Sequence, residues 1–273
     1  MSALHHVVVA PAGGEPATRH AWFLHGILGS GGNLRTLAKL ALARRPGWAA
    51  VLVDLRGHGR SPLPPGPHTI AACAADVAET SRASGLAVDA FVAHSFGGKV
   101  ALAAFEPCAP SHAFILDSSP VARPDARGSE GTVRVVKALR EVGQTFGSRE
   151  ELSTKLGAAG VDASLHAWLG MNLERDGERF RMRLDVDAIE EMLADYFATD
   201  WTHALEAPRA PRTRFVLGGA STVVDAEARA RIDAIATATG GRLDVRELPG
   251  VGHWVHAEAT EDCARAIEEL LPG

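Results

Sequence analysis

Phe91-Val92-Ala93-His94-Ser95-Phe96-Gly97-Gly98-Lys99-Val100-Ala101 is the stretch from which the rest of the chain can be read. The apolar run before Ser95 reads as a buried strand, and the two glycines after it open a helix. A serine in so sharp a strand-to-helix turn is held in strained backbone with its hydroxyl projecting from the sheet. Small residues two positions to either side, here Ala93 and Gly97, let neighbouring backbones approach. The commoner form has glycine at the first of these positions, so Ala93 is a mild departure. A serine that merely caps a helix requires neither the apolar strand nor the paired glycines. Ser95 is therefore a candidate nucleophile.

Outward from this turn, short apolar runs alternate with stretches of helical periodicity, the pattern of a parallel sheet covered by helices on both faces. The expected strands are 21–24, 49–53, 90–93, 113–116, 214–217 and 243–248; the expected helices are 34–44, 69–84, 97–105, 225–238 and 260–271. The alternation fails over 121–211, where no convincing strand is seen and several helices carry Trp168, Met171, Phe180, Met192, Tyr196, Phe197 and Trp201. The division expected is a core of residues 1–120 and 212–273 with a helical cap, or lid, inserted at 121–211.

A hydroxyl is a poor nucleophile at neutral pH and needs a base within hydrogen-bond reach. Leu248-Pro249-Gly250-Val251-Gly252-His253-Trp254 offers one: a strand end, a loop with two glycines, then His253. Leu24-His25-Gly26-Ile27-Leu28-Gly29-Ser30 follows the first strand, and its glycines let backbone amides turn toward Ser95. An oxyanion hole is assigned to the N–H of Phe96 with that of Ile27 or Leu28. His25, Leu28 and Trp254 are the expected substrate contacts. The same glycines lack the spacing of a phosphate loop or dinucleotide fingerprint.

These segments, with Asp54-Leu55-Arg56-Gly57-His58-Gly59-Arg60-Ser61, give the chain a resemblance to the α/β-hydrolase superfamily over almost its whole length. His94–Lys99, Leu116-Asp117-Ser118-Ser119-Pro120, Leu217-Gly218-Gly219-Ala220-Ser221 and Gly252–Glu258 look like bacterial YbfF-type esterases and the related mammalian abhydrolase-11 proteins. The resemblance implies a mostly parallel central sheet with an inserted helical cap, and hydrolysis of esters or thioesters. It also bears on the acid that orients His253. Most relatives carry an Asp where this chain has Ser221, and a neutral hydroxyl cannot stabilise an imidazolium as a buried carboxylate does. Asp117, after the next strand, can reach the base in some members of the fold and is the assignment made, with Ser221 as an auxiliary partner of His253. Asp225 competes, although its place before a helix suits a cap equally well. Asp54 reads as a strand-end brace for the Arg56–Ser61 loop.

With 46% hydrophobic and 22% charged residues the chain is an ordinary globular one, and its net charge of −5 without a basic run excludes electrostatic recruitment to nucleic acid or an anionic membrane. The first ten residues contain neither a charged n-region nor an apolar run long enough for a signal or spanning helix, so a cytoplasmic location is expected. Three cysteines, Cys73, Cys108 and Cys263, are odd in number and far apart, and are expected as buried thiols. Neither a metal nor a cofactor is expected: His253 and His256, three apart, lack further ligands at metal-site spacing. Lys99 and Arg123 could bind an acidic substrate tail, although packing explains them as well. The expected partner is a small acyl ester or thioester, and the assembly a monomer or small homo-oligomer. Other chemistry on the same fold (carbon–carbon bond hydrolysis, perhydrolysis or a lyase reaction) and a non-catalytic ligand-binding role are the alternatives.

Overall fold

The computed structural model describes residues 3–11, 14 and 16–272. Residues 1, 2, 12, 13, 15 and 273 of the expected core, the first two also in the N-terminal run, lie outside the described residues. The first half of the chain lays down β1 (His6–Val9), β2 (Arg19–Leu24), α1 (Arg35–Leu42), β3 (Trp48–Val53), α2 (Ile70–Ser84), β4 (Ala90–His94), α3 (Phe96–Ala103), α4 (Phe105–Cys108) and β5 (His112–Leu116). The chain then leaves the sheet for α5 (Glu130–Val142), β6 (Thr145–Phe146), α6 (Arg149–Ala158), α7 (His166–Gly170), β7 (Leu173–Asp176), β8 (Arg179–Met182), α8 (Val186–Ala198) and α9 (Thr202–Glu206). It returns through β9 (Arg212–Gly218), α10 (Ala226–Ala238), β10 (Leu243–Leu248), α11 (Val255–Glu258) and α12 (Thr260–Glu268).

The seven-stranded sheet has the order β1-β3-β2-β4-β5-β9-β10, with β1 antiparallel to β3 and every other pair parallel. Its inner strands are largely buried on both faces, which is why they read as near-continuous apolar runs, whereas the edge strands β1 and β10 are partly exposed. In β4, Phe91 and Ala93 join the core on one face while Ala90 and Val92 join the core on the other. From β2 the chain goes first to β3 on one side and then to β4 on the other, and this reversal opens a crevice at the carboxyl ends of β2 and β4. Leu24 pairs with Ala93, His94 with Leu116, and Leu116 with Val216, so the ends of β2, β4, β5 and β9 lie side by side.

Three points need correction. The inserted segment is not wholly helical: β6, β8 and β7 form an antiparallel three-stranded sheet. The hairpin from β7 to β8 turns through Gly177 at φ 61°, and its charged outer residues hid the alternation of its apolar face. β1 was also missed, because its short run lies on the sheet edge with Val7 and Val8 exposed. Cys73 and Cys263 are buried and their thiols are pushed up to about 12 by burial, but Cys108, at the end of α4, is only half-buried. Among the described residues no helix is long and apolar enough to cross a membrane.

Candidate active site

Ser95 joins β4 to α3 at φ 52° and ψ −118°, a conformation L-residues rarely take and one that surrounding structure has to enforce. Its N–H donates to Leu116 O at 3.0 Å, and the hydroxyl of Ser118 donates to its carbonyl at 2.6 Å. The glycines that follow are required by contact. A Cβ on Gly97 would lie 2.5 Å from the carbonyl oxygen of His25, and one on Gly98 would lie 2.5 Å from Cβ of Ser118. Loss of either glycine would push α3 off the neighbouring strands.

The Ser95 hydroxyl is 3.1 Å from Nε2 of His253, and His253 Nδ1–H donates to Oδ2 of Asp117 at 2.7 Å. Asp117 is fully buried at the end of β5, at φ 43°; its Oδ1 accepts the N–H of Gly218 at 3.0 Å and its Oδ2 accepts the hydroxyl of Ser221 at 2.5 Å. Three donors thus surround this carboxylate: the imidazole N–H of His253, the hydroxyl of Ser221 and the N–H of Gly218. The loop carrying His253 is tied down on two sides. Glu258 accepts the N–H groups of Gly252 (2.7 Å) and Trp254 (3.1 Å), and His94 Nε2–H donates to the carbonyl of His253 at 3.0 Å. Burial, then the adjacent His256 and His253, hold His94 well below the ordinary imidazole range, so it is a neutral donor.

The loop after β2 lies against the nucleophile, since a Cβ on Gly26 would sit 3.4 Å from Cβ of Ser95. Leu28 N–H donates to His58 Nε2 at 3.1 Å and is spent. Among the described residues no acceptor takes the N–H of Ile27 or of Phe96, the latter being the first residue of its helix, where no intrahelical partner exists. Of the two donors weighed in this loop, Ile27 is the open one.

Ser95 and His253 line a cleft of about 420 Å³ with Gly26, Ile27, Leu28, Val135, Leu165, Trp168, Val223 and Trp254. Trp254 meets Trp168 of the inserted segment edge-on, with ring centroids 4.9 Å apart. Leu28 and Trp254 thus lie where substrate contacts were expected. His25 does not: it is buried, its Nδ1–H donates to Gly26 O at 2.7 Å, and its Nε2 accepts Leu55 N–H at 3.0 Å, so the ring braces backbone.

One further expectation changes, that for Ser221, and the open readings of Asp225, Lys99 and Arg123 resolve. Ser221 bonds the carboxylate of Asp117 and is not the imidazole's hydrogen-bond partner. Asp225 accepts Ala228 N–H at 2.8 Å as the cap of α10 and pairs with Arg127 at 2.6 Å, away from His253. Lys99 and Arg123 are fully buried and line no part of the cleft. Lys99 Nζ donates to the carbonyls of Val121 (3.0 Å), Tyr196 (2.6 Å) and Thr199 (2.8 Å), and burial with the nearby Arg123 pulls it down to about 7. Asp54 behaves as a brace, accepting Gly31 N–H at 2.8 Å and Arg60 N–H at 2.9 Å. Sequence reading gave no role to His58, Glu258 or Asn172: His58 and Asn172 bond backbone 30 and 144 residues away, and Glu258 bonds backbone within its own loop.

Residues 23–266 match the model of the alpha/beta hydrolase family. The chain belongs to that family. Its α/β-hydrolase relatives include the sn-1-specific diacylglycerol lipase ABHD11 of Mus musculus, 29% identical over 253 residues, covering 91% of this chain and 80% of the relative. The esterase YbfF of Escherichia coli (strain K12) is 28% identical over 255 residues, covering 91% of each. Among solved structures, a marine microorganism esterase superposes with a TM-score of 0.83 at 22% identity, over 98% of this chain and 99% of that one. The thioesterase domain from the curacin biosynthetic pathway superposes at 0.67 with 18% identity, over 97% and 99%. These structures share the α/β-hydrolase fold with this chain.

Proposed function

We propose that the protein is a serine esterase that cleaves carboxylic esters or thioesters of small acyl compounds through an acyl-enzyme. The observation that carries this reading is the unbroken run of hydrogen bonds from the Ser95 hydroxyl through His253 to the buried Asp117. Such a chain lets the imidazole take the hydroxyl proton as Ser95 attacks the substrate carbonyl, while the carboxylate stabilises the imidazolium that forms. The N–H groups of Ile27 and Phe96 receive the developing oxyanion. His253 then returns the proton to the departing alcohol or thiol, and the same imidazole activates the water that releases the acid.

Residues 121–211 act as a cap over the sheet ends, and the Trp168–Trp254 contact forms one wall of the acyl site. The chemistry as written uses no cofactor. The named activities of the relatives, a diacylglycerol lipase and an esterase, support ester hydrolysis over carbon–carbon cleavage, and the apolar part of the lining, with Ile27, Leu28, Val135, Leu165, Trp168, Val223 and Trp254, supports an acyl chain as the bound part.

Hydrolysis of p-nitrophenyl esters from short to long acyl chains, with Ser95→Ala as blank, tests the proposal. Turnover well above the blank is expected, and the preferred chain length measures the acyl site. A wild-type rate no greater than that of Ser95→Ala across the series would remove the esterase reading.

A further inference from the structure

We propose that Asn172 and His58 are positioning residues for the oxyanion hole, gripping Leu28 by its two backbone groups and so aiming the N–H of Ile27 at the reacting carbonyl. The inference rests on the esterase reading above and adds to it a part for the inserted segment beyond covering the cleft.

Gly26 to Gly29 form a turn closed by Gly29 N–H donating to Gly26 O at 3.1 Å, and Leu28 stands third in it at φ 64°. That position favours glycine or asparagine, and a leucine there costs on the order of 1 kcal/mol or more. The turn also sets the direction of the Ile27 N–H, because Ile27 lies directly before the strained residue. Something outside the turn has to hold it. On one side Leu28 N–H donates to His58 Nε2 at 3.1 Å; on the other, Asn172 Nδ2–H donates to Leu28 O at 2.9 Å.

His58 is fixed by its ring and Asn172 by its backbone. His58 Nδ1–H donates to Arg56 O at 2.9 Å, which leaves Nε2 as acceptor, and burial with the neighbouring His25 lowers the imidazole to about 3, so it remains an acceptor at any working pH. Asn172 is buried just before β7; its N–H donates to Leu169 O at 3.0 Å and its carbonyl accepts Arg183 N–H at 2.9 Å. The core supplies one half of the grip and the inserted segment the other. Displacement of the insert would therefore release Leu28 as well as uncover Ser95.

The test is a cycle of Asn172→Ala and Leu28→Gly, read by the second-order rate of Ser95 labelling with a fluorophosphonate and by kcat and KM on p-nitrophenyl acetate. Glycine takes positive φ without restraint, so it removes the need for the grip. In the wild-type background Asn172→Ala is expected to lower kcat and the labelling rate about tenfold at nearly constant KM, part of the hundredfold that loss of an oxyanion donor costs. In the Leu28→Gly background the same change is expected to cost less than about twofold, a coupling that independent sites do not show. An equal loss in both backgrounds, a change confined to KM, or no loss would overturn the inference. Wild-type Ser95 that does not label would overturn the esterase reading, and this inference with it.

Discussion

The hydroxyl of Ser221 donates to Oδ2 of Asp117 at 2.5 Å, on the same oxygen that accepts His253 Nδ1–H at 2.7 Å. The carboxylate thus bonds the imidazole and is itself held by Ser221 and by the N–H of Gly218. Asp117→Ala is expected to lower kcat by about a thousandfold or more, since the imidazole loses both its orientation and its counter-charge. Ser221→Ala removes one of three donors to a carboxylate that stays in place, and a loss of no more than about tenfold is expected from one such bond. Steady-state kinetics on one p-nitrophenyl ester compares the two; a Ser221→Ala loss equal to that of Asp117→Ala would place the orienting role elsewhere.

Four buried histidines make stability depend on pH in one direction. Burial lowers His25 and His94, lowers His256 to about 4, and lowers His58 to about 3. Between each folded value and the unfolded value of 6.5, the unfolded chain binds more protons than the folded one, so stability rises with pH across that interval. The contribution is complete above pH 6.5 and is lost as the pH falls, each site adding a slope of up to about 1.4 kcal/mol per pH unit. Urea unfolding between pH 7 and 5 is expected to show this loss, and His256→Phe to reduce its slope by about one proton. His256 suits the test because its Nδ1 has no hydrogen-bond partner and its ring packs on His94 at 4.4 Å. An unchanged slope in His256→Phe would mean that this imidazole titrates alike in both states.

Lys99 fastens the inserted segment to the helix that follows Ser95. Its three acceptors, Val121, Tyr196 and Thr199, lie where the chain leaves the sheet and where it turns back toward it, and its Nζ also sits 4.5 Å from the Tyr196 ring centroid. Lys99→Met leaves those carbonyls without this donor in a buried site, and a loss of about 3 kcal/mol or more is expected. The midpoint of urea unfolding measures it. A midpoint within experimental error of wild type would mean that the insert is held by its apolar contacts alone.

The sheet was largely legible because its inner parallel strands are buried and therefore mostly apolar; the six runs read from sequence, the edge run 243–248 included, all fall within observed strands, with ends displaced by no more than two residues. The hairpin of β7 and β8 was not legible, since Glu174, Arg175, Asp176, Arg179 and Arg181 mask the single face formed by Leu173, Phe180 and Met182; Asp176-Gly177 was the available signal. In the candidate site, Ser95 and His253 stand in local patterns of strand, glycine and loop, which a sequence displays. His58 and Asn172 act on Leu28 from 30 and 144 residues away, through single bonds to backbone, and no local pattern carries that information.

Gly218 offers a test of how tightly the His253 loop is set. A Cβ there would fall 2.1 Å from the carbonyl oxygen of Gly252 and 2.6 Å from that of Val251, both backbone atoms that cannot rotate away. Gly218→Ala must therefore part the end of β9 from the loop, carrying His253 away from Ser95 and disturbing the Gly218 N–H bond to Asp117. A misplacement of about 1 Å in a reacting group costs about a hundredfold in rate, and kcat is expected to fall by that factor. Far-ultraviolet circular dichroism and the unfolding midpoint separate this from loss of fold, because the rest of β9 keeps its pairing with β5 and β10. A folded Gly218→Ala variant with wild-type kcat would show that the loop tolerates the displacement and that the distance between His253 and Ser95 does not limit the rate.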